Sequence, residues 1–216
     1  MSLVFHYAPN STATVTTLVL AELGIPCERV RQPFGASGTK SPEFLALNPN
    51  GRVPVIVHDG VPIWESGAIT MYLGEVFGVE RGLYPAAGPR RGQAMTWIVW
   101  ANVRLAEAAG RLAEALPPGN EGGVEVASAD WVVPEARDAT AAGKARGDTL
   151  AALAILDGAL AGRDYLLGDY TLADTHLAAF VGWVAMLGVD LTPFARLGAW
   201  MGRCAGRPAF AVLAEG

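Results

Sequence analysis

The chain has 216 residues, 51% of them hydrophobic and 17% charged, with a net charge of -5. That apolar content is enough for a buried core and excludes a disordered chain. Acidic and basic residues are interspersed and no Lys/Arg cluster extends beyond Arg90-Arg91, which argues against a nucleic-acid partner.

Leu3 to Tyr7 reads as a short strand, followed by the turn Ala8-Pro9-Asn10. Ser11 and Thr12 then precede an apolar-periodic run, Val15, Leu18, Val19 and Leu23, with Gly24 as a stop signal and Pro26 beyond it. Cys27 to Arg31 is a second strand. The β-α-β order predicts two parallel strands with a right-handed crossover. Val55 to His58 and Val61 to Trp64 flank Asp59-Gly60, a strong hairpin signal, and Pro62 predicts that the fourth strand lies at an edge. Ile69, Tyr72, Leu73, Val76 and Phe77 have helical spacing, ended by Gly78. Residues 1–78 are therefore expected to form a small domain with a four-stranded mixed sheet.

Residues 79–92, rich in Gly and Pro, read as a linker, and 93–216 as an all-α domain. Helices are expected over about 92–116, from near Ala136 to Leu160, from Thr171 onward, and around Phe194, Leu197 and Met201. PPGNEGG, residues 117–123, separates the first two. Thr171-x-x-Asp174 is a capping box, in which each side chain satisfies the other residue's orphan backbone N–H. The spacing predicts that Asp174→Ala costs roughly 0.5–2 kcal/mol without affecting a ligand site. Thr175 stands where an apolar residue would staple to Tyr170, which weakens that contact.

The start, MSLVFHYAPN, does not read as a signal peptide. The apolar window His176 to Val189 is too short for a bilayer, so no membrane association is expected. Cys27 and Cys204 are far apart and in no CxxC pair, which fits a reducing, cytoplasmic setting. His6, His58 and His176 lack metal-ligand spacing, and no metal is expected.

Pro54 removes a ladder donor at the mouth of the apolar run Val55-Ile56-Val57. Cis peptide bonds are essentially confined to X-Pro. A cis Val53-Pro54 bond would turn the N–H and C=O of Val53 toward an extended peptide ligand, as an edge strand pairs with an added strand. Glu65-Ser66 opens a helix, where free N–H groups and the helix dipole favour a carboxylate. The Ser66 hydroxyl adds a donor, and Glu65 accepts from an ammonium. A small peptide with both an α-amino and an α-carboxylate group suits this pattern.

SPEFLALNPNGRVPVIVHDGVPIWESGAITMYL, residues 41–73, resembles the glutathione-binding half of the cytosolic glutathione S-transferases, and GDYTLADTHLAAF, residues 168–180, resembles their C-terminal capping motif. The chain looks like a serine-type or bacterial theta-like member. The resemblance implies a thioredoxin-like domain followed by a helical-bundle domain, as a homodimer, with glutathione as co-substrate and no metal. It implies that Val53, beside Pro54, bonds the cysteinyl main chain of glutathione. Glu65 and Ser66 would hold the γ-glutamyl end, and Lys40 or Arg52 the glycine carboxylate.

The resemblance places the glutathione thiol at Ser11 and Thr12, with Ser11 best matching the catalytic serine after the first-strand turn. Thr12 and Thr14 are the alternatives, and Tyr7 reads as a packing residue. The segment departs from the family pattern: Val15 replaces an arginine found in many members, and neither an SSCS motif nor Cys-Pro-x-x is present. Phe34, Trp97, Trp100 and Arg104 are expected to wall the electrophile pocket, the last three at i, i+3 and i+7 on one helical face. Conjugation to a hydrophobic electrophile is the expected activity. The alternatives are glutathione-dependent peroxide or disulfide reduction, and a non-catalytic binding protein with the same fold.

Overall fold

The computed structural model describes residues 2–116 and 139–214. Its first half runs β1 (Leu3–Tyr7), α1 (Ala13–Leu23), β2 (Glu28–Arg31), α2 (Pro42–Leu47), β3 (Val55–His58), β4 (Val61–Trp64) and α3 (Ser66–Leu73). The sheet order is β2-β1-β3-β4. β1 and β2 are parallel, as the β-α-β order requires, and the other pairs are antiparallel. Pro62 sits on β4, an edge strand, where its missing N–H breaks no ladder. Phe5 lies opposite Ile56, and both are fully buried. Helices α1 and α3 supply Val19, Ile69 and Leu73 to the same core.

Helix α2 had no counterpart among the predicted elements. Ser41 caps it by accepting from the N–H of Phe44 at 3.2 Å, and Pro42 occupies its first turn. Ser-Pro-Glu is a readable helix start, because proline at that position gives up only an N–H that has no helical partner anyway.

The second half contains α4 (Pro89–Trp100), α5 (Glu107–Ala115), α6 (Ala139–Ala159), α7 (Leu172–Met186), α8 (Ala195–Ala205) and a closing 3₁₀ turn (Pro208–Ala214). Helix α4 begins at Pro89, inside the stretch expected to be linker, because proline suits a first helical turn. The predicted break at 117–123 and the predicted helix start near Ala136 lie outside the described residues. Helix α7 is buried along most of its length and packs against α1, so one continuous core spans both halves.

Two π-helical segments, Gly74–Gly78 after α3 and Ala101–Ala106 after α4, correct the α-helical spacing expected there. Val76, expected on the buried stripe, is 45% exposed. Tyr84 lies close against Gly74, where an added Cβ would come within 2.7 Å of its ring. The i→i+5 turns at 101–106 also displace Arg104 from the face that carries Trp97 and Trp100.

The capping box is present, with Thr171 Oγ1 accepting from Ala173 N–H at 3.3 Å and Asp174 accepting from Thr171 N–H at 2.9 Å. Asp174 also accepts from Leu166 N–H and from the indole of Trp200, each at 2.9 Å. Burial pushes its carboxyl pKa up, against the opposing pull of these donors. The weakened apolar staple is replaced by a polar one: the hydroxyls of Tyr170 and Thr175 bond at 2.9 Å.

Candidate functional site

Three segments converge at one end of the sheet. Val55 pairs with Trp64 in the β3-β4 hairpin, so Val53-Pro54 and Glu65-Ser66 continue side by side beyond it. The start of α1 joins them through Thr12, whose hydroxyl donates to the carbonyl of Val53 at 3.1 Å. The Val53-Pro54 bond is cis. Neither the N–H of Val53 nor that of Thr12 has a partner among the described residues.

The loop before Val53 is held from within. Buried Asn48 donates to Arg52 O at 2.7 Å and accepts from the backbone and side chain of Asn50 at 3.1 and 3.0 Å. Gly51 has φ 60 and would place a Cβ 2.6 Å from Thr39 O, so this turn requires glycine. Asn48 is a site-supporting residue beyond those expected from the sequence, and its local signal is an asparagine before Pro-x-Gly.

Glu65 adopts φ 70 and ψ 120, an unusual conformation for a residue with a side chain. It is exposed, and its carbonyl accepts the first helical bond, from Ile69 N–H at 2.9 Å. The N–H groups of Ser66, Gly67 and Ala68 carry no hydrogen bond to described residues outside the helix. They leave an open set of donors at the positive end of the helix dipole. Ser66 is 4% exposed, and its hydroxyl accepts from Asn102 Nδ2 at 3.0 Å.

Ser11 and Thr12 have different surroundings. Ser11 Oγ donates to Ala8 O at 2.7 Å and accepts from Ala13 N–H at 3.1 Å, so its hydroxyl is engaged within the turn that leads into α1. Thr12 is exposed and lies against Val53. Tyr7 packs, stacking on Phe5 with ring centroids 5.6 Å apart and lying under the Arg29 guanidinium at 4.9 Å.

Lys40 Nζ donates to Asn50 O at 3.2 Å, over the Gly51 turn, while the exposed Arg52 side chain bonds no described residue. Phe34 follows β2 at the same end of the sheet and is half-buried. Trp97 and Trp100 pack edge to face on each other at 5.3 Å, and Arg104 is exposed. No hydrogen bond or ring contact joins these three to Thr12, Val53 or Glu65. The π segment after α4 reaches the site through Asn102, a residue with no sequence signal, because a lone polar residue in a helix carries no local signature. Among the described residues, no group of three or more His, Cys, Asp or Glu side chains is placed to hold a metal ion.

A family model described as "Glutathione S-transferase, N-terminal domain" matches residues 3–75, and its C-terminal counterpart matches 124–208. The chain belongs to the glutathione S-transferase family. Glutathione S-transferase GstB of Escherichia coli K12 is 32% identical to it over 206 residues, covering 93% of this chain and 91% of the relative. Glutathione S-transferase 1 of Schizosaccharomyces pombe is 30% identical over 182 residues, covering 82% of this chain and 71% of the relative. The solved structure of a sphingomonad glutathione S-transferase complexed with glutathione superposes with a TM-score of 0.78 at 26% identity, covering 97% of this chain and 96% of the other. This transferase-family chain thus shares its two-domain architecture with proteins that hold glutathione, and no described helix is long and apolar enough to cross a membrane.

Proposed function

We propose that the protein is a glutathione transferase that ionises the glutathione thiol and adds it to a hydrophobic electrophile. One observation carries the reading: unpaired main-chain donors at Val53 and at the start of α3 converge with a hydroxyl at Thr12. The cysteinyl main chain of glutathione pairs with Val53. Its γ-glutamyl carboxylate takes the α3 N–H groups and Ser66, and its ammonium takes Glu65. Lys40, over the Gly51 turn, and Arg52 face the glycine carboxylate.

The thiol then lies beside Thr12 and the start of α1. A free thiol has a pKa near 8.5, and lowering it by about two units takes about 2.7 kcal/mol. One hydroxyl donor to a charged sulfur contributes roughly 1.5–3 kcal/mol, and a helix N-terminus about 0.3–1. Thr12 is the better donor, because its hydroxyl is exposed and held only by the 3.1 Å bond to Val53 O, whereas Ser11 gives its proton to Ala8 O at 2.7 Å and also accepts from Ala13 N–H. Thr12 turns its hydroxyl from Val53 O to the sulfur. The thiolate attacks an electrophilic carbon; with an aryl halide, a C–S bond forms and halide departs with the bonding electrons. Phe34, Trp97 and Trp100 are the apolar surfaces assigned to that electrophile.

The same reading takes the protein as a homodimer. Val61 and Trp64 on edge strand β4, with Val99 and Val103 on the α4 helix and its π continuation, are 61%, 37%, 46% and 52% exposed, apolar surface that a second copy would cover. Sedimentation at micromolar concentration tests this, and a monomer would refute it.

Retention on glutathione-agarose, followed by turnover of an aryl halide, a hydroperoxide and a small disulfide, tests the activity. Conjugation faster than either reduction supports the proposal. Faster reduction moves the assignment to a glutathione-dependent reductase. Retention without turnover leaves a glutathione-binding protein.

A further inference from the structure

A hydrogen-bonded chain runs from α3 through the second domain and back. Thr70 Oγ1 meets His176 Nδ1 at 2.9 Å, His176 Nε2 meets Asn102 Oδ1 at 2.7 Å, and Asn102 Nδ2 meets Ser66 Oγ at 3.0 Å. Ser66 and Thr70 lie one turn apart on α3, Asn102 lies in the π segment after α4, and His176 lies on α7. Thr70 and His176 are fully buried, Ser66 nearly so. The chain therefore ties the start of α3 to two helices of the second half without solvent at its centre.

The donors run in one direction. Asn102 gives an N–H to Ser66, so its Oδ1 accepts from His176 Nε2–H. His176 Nδ1 is then the acceptor, filled by the Thr70 hydroxyl. Burial holds His176 neutral by pulling its pKa down to about 3, which keeps one ring nitrogen available as an acceptor. At the far end, Ser66 Oγ already accepts, and its own O–H is committed to no described residue and points on from the end of the chain.

We infer that Asn102 and His176 are positioning residues: they fix the polarity of the Ser66 hydroxyl so that its proton is presented to the α-carboxylate of the ligand's γ-glutamyl end. This rests on the glutathione reading above and adds two residues to it. Asn102 and His176 touch no reacting atom. Their effect lies in binding one carboxylate, and not in ionising the thiol at the other end of the ligand.

The test is titration calorimetry of the full-length protein with two ligands. One is glutathione; the other is the analogue in which hydrogen replaces the α-carboxylate of the γ-glutamyl residue. Asn102→Ala is expected to weaken glutathione about tenfold, the scale of a hydrogen bond to a charged group, and to leave the analogue within about twofold of wild type. Turnover at saturating glutathione stays within about twofold. His176→Gln, which keeps a side-chain N–H donor for Asn102, is expected to retain glutathione affinity where His176→Leu loses it. Thermal melts establish that each variant is folded.

Equal weakening of both ligands in Asn102→Ala, or no weakening of either, overturns the relay alone. If wild-type protein binds neither ligand, the glutathione reading fails and the relay with it. If His176→Leu does not fold, the Asn102→Ala and His176→Gln pair still decides the question.

Discussion

The guanidinium of Arg207 grips the carboxylate of Glu22 at 2.7 and 2.8 Å. It joins the C-terminal segment to α1 across the two halves of the chain. The carboxylate is deeply buried, its side chain only 4% exposed, and the guanidinium also lies over the Tyr170 ring, 3.7 Å from its centroid. The Glu22 bond holds Arg207 above its usual basicity, and burial pushes the Tyr170 phenol up. Removing one partner leaves a buried charge unmatched, which costs about 3–5 kcal/mol, whereas replacing both by apolar groups is often neutral. Arg207→Leu is therefore expected to lower the melting temperature by about 2–4 °C per kcal/mol lost. Glu22→Leu combined with Arg207→Leu is expected to recover most of that loss. Equal melting temperatures for the single and double variants would refute this account.

Thr12 and Ser11 separate by what each loses. Thr12→Val removes the hydroxyl beside Val53, and its kcat/KM for an aryl halide is expected to fall roughly ten- to hundredfold, with the glutathione dissociation constant little changed. Ser11→Ala leaves Ala13 N–H and Ala8 O without their partner. It is expected to lower stability by about 1–2 kcal/mol and to keep turnover within a few-fold. The reverse outcome, with Ser11→Ala inactive and Thr12→Val active, would return the thiol to Ser11.

Asp174 holds more than its helix. The capping spacing predicts a loss of roughly 0.5–2 kcal/mol for Asp174→Ala. The tertiary structure adds Leu166 N–H and the Trp200 indole as buried donors to the same carboxylate. Each donor left unsatisfied costs about 1–3 kcal/mol, so the total is expected above about 3 kcal/mol, with glutathione affinity of the folded fraction unchanged. Urea unfolding of the variant measures it, and a loss near about 1 kcal/mol would show that these donors find other partners.

His176 sets a pH dependence of stability. Its folded pKa, about 3, lies below the unfolded value near 6.5. Between those values the unfolded chain binds the proton and the folded chain does not, so acidification favours unfolding. The histidine's contribution is full above about pH 6.5 and declines as pH falls toward about 3. Near about pH 5 this amounts to about 2 kcal/mol less stability than at neutrality. Burial raises the Asp174 pKa, so that group works in the opposite sense: its contribution is full below the unfolded carboxyl value and lost as pH rises through the folded one. Denaturant unfolding of wild type and His176→Gln across this range isolates the histidine, and parallel curves would refute the assignment.

The strand and helix content, the β-α-β order, the Asp59-Gly60 hairpin and the edge placement of β4 were legible in the sequence, because each follows from spacing or turn chemistry within a few residues. So were the Val53-Pro54 and Glu65-Ser66 elements and the Thr171-Asp174 box. The tertiary structure decided what depends on contacts between distant segments. Ser11 and Thr12 are adjacent hydroxyls at a helix start, and only the fold turns one toward Ala8 and the other toward Val53. The π segments at 74–78 and 101–106 shifted Val76 and Arg104, because one extra residue per turn leaves the hydrophobic pattern almost unchanged while rotating everything after it. Asn102 and His176, 74 residues apart, meet only because α4 and α7 pack beside α3, and Asp174 reaches Trp200 only because α8 folds back. Short-range backbone preference writes itself into local sequence; the partner of a buried polar side chain is chosen by packing, which no window of residues records.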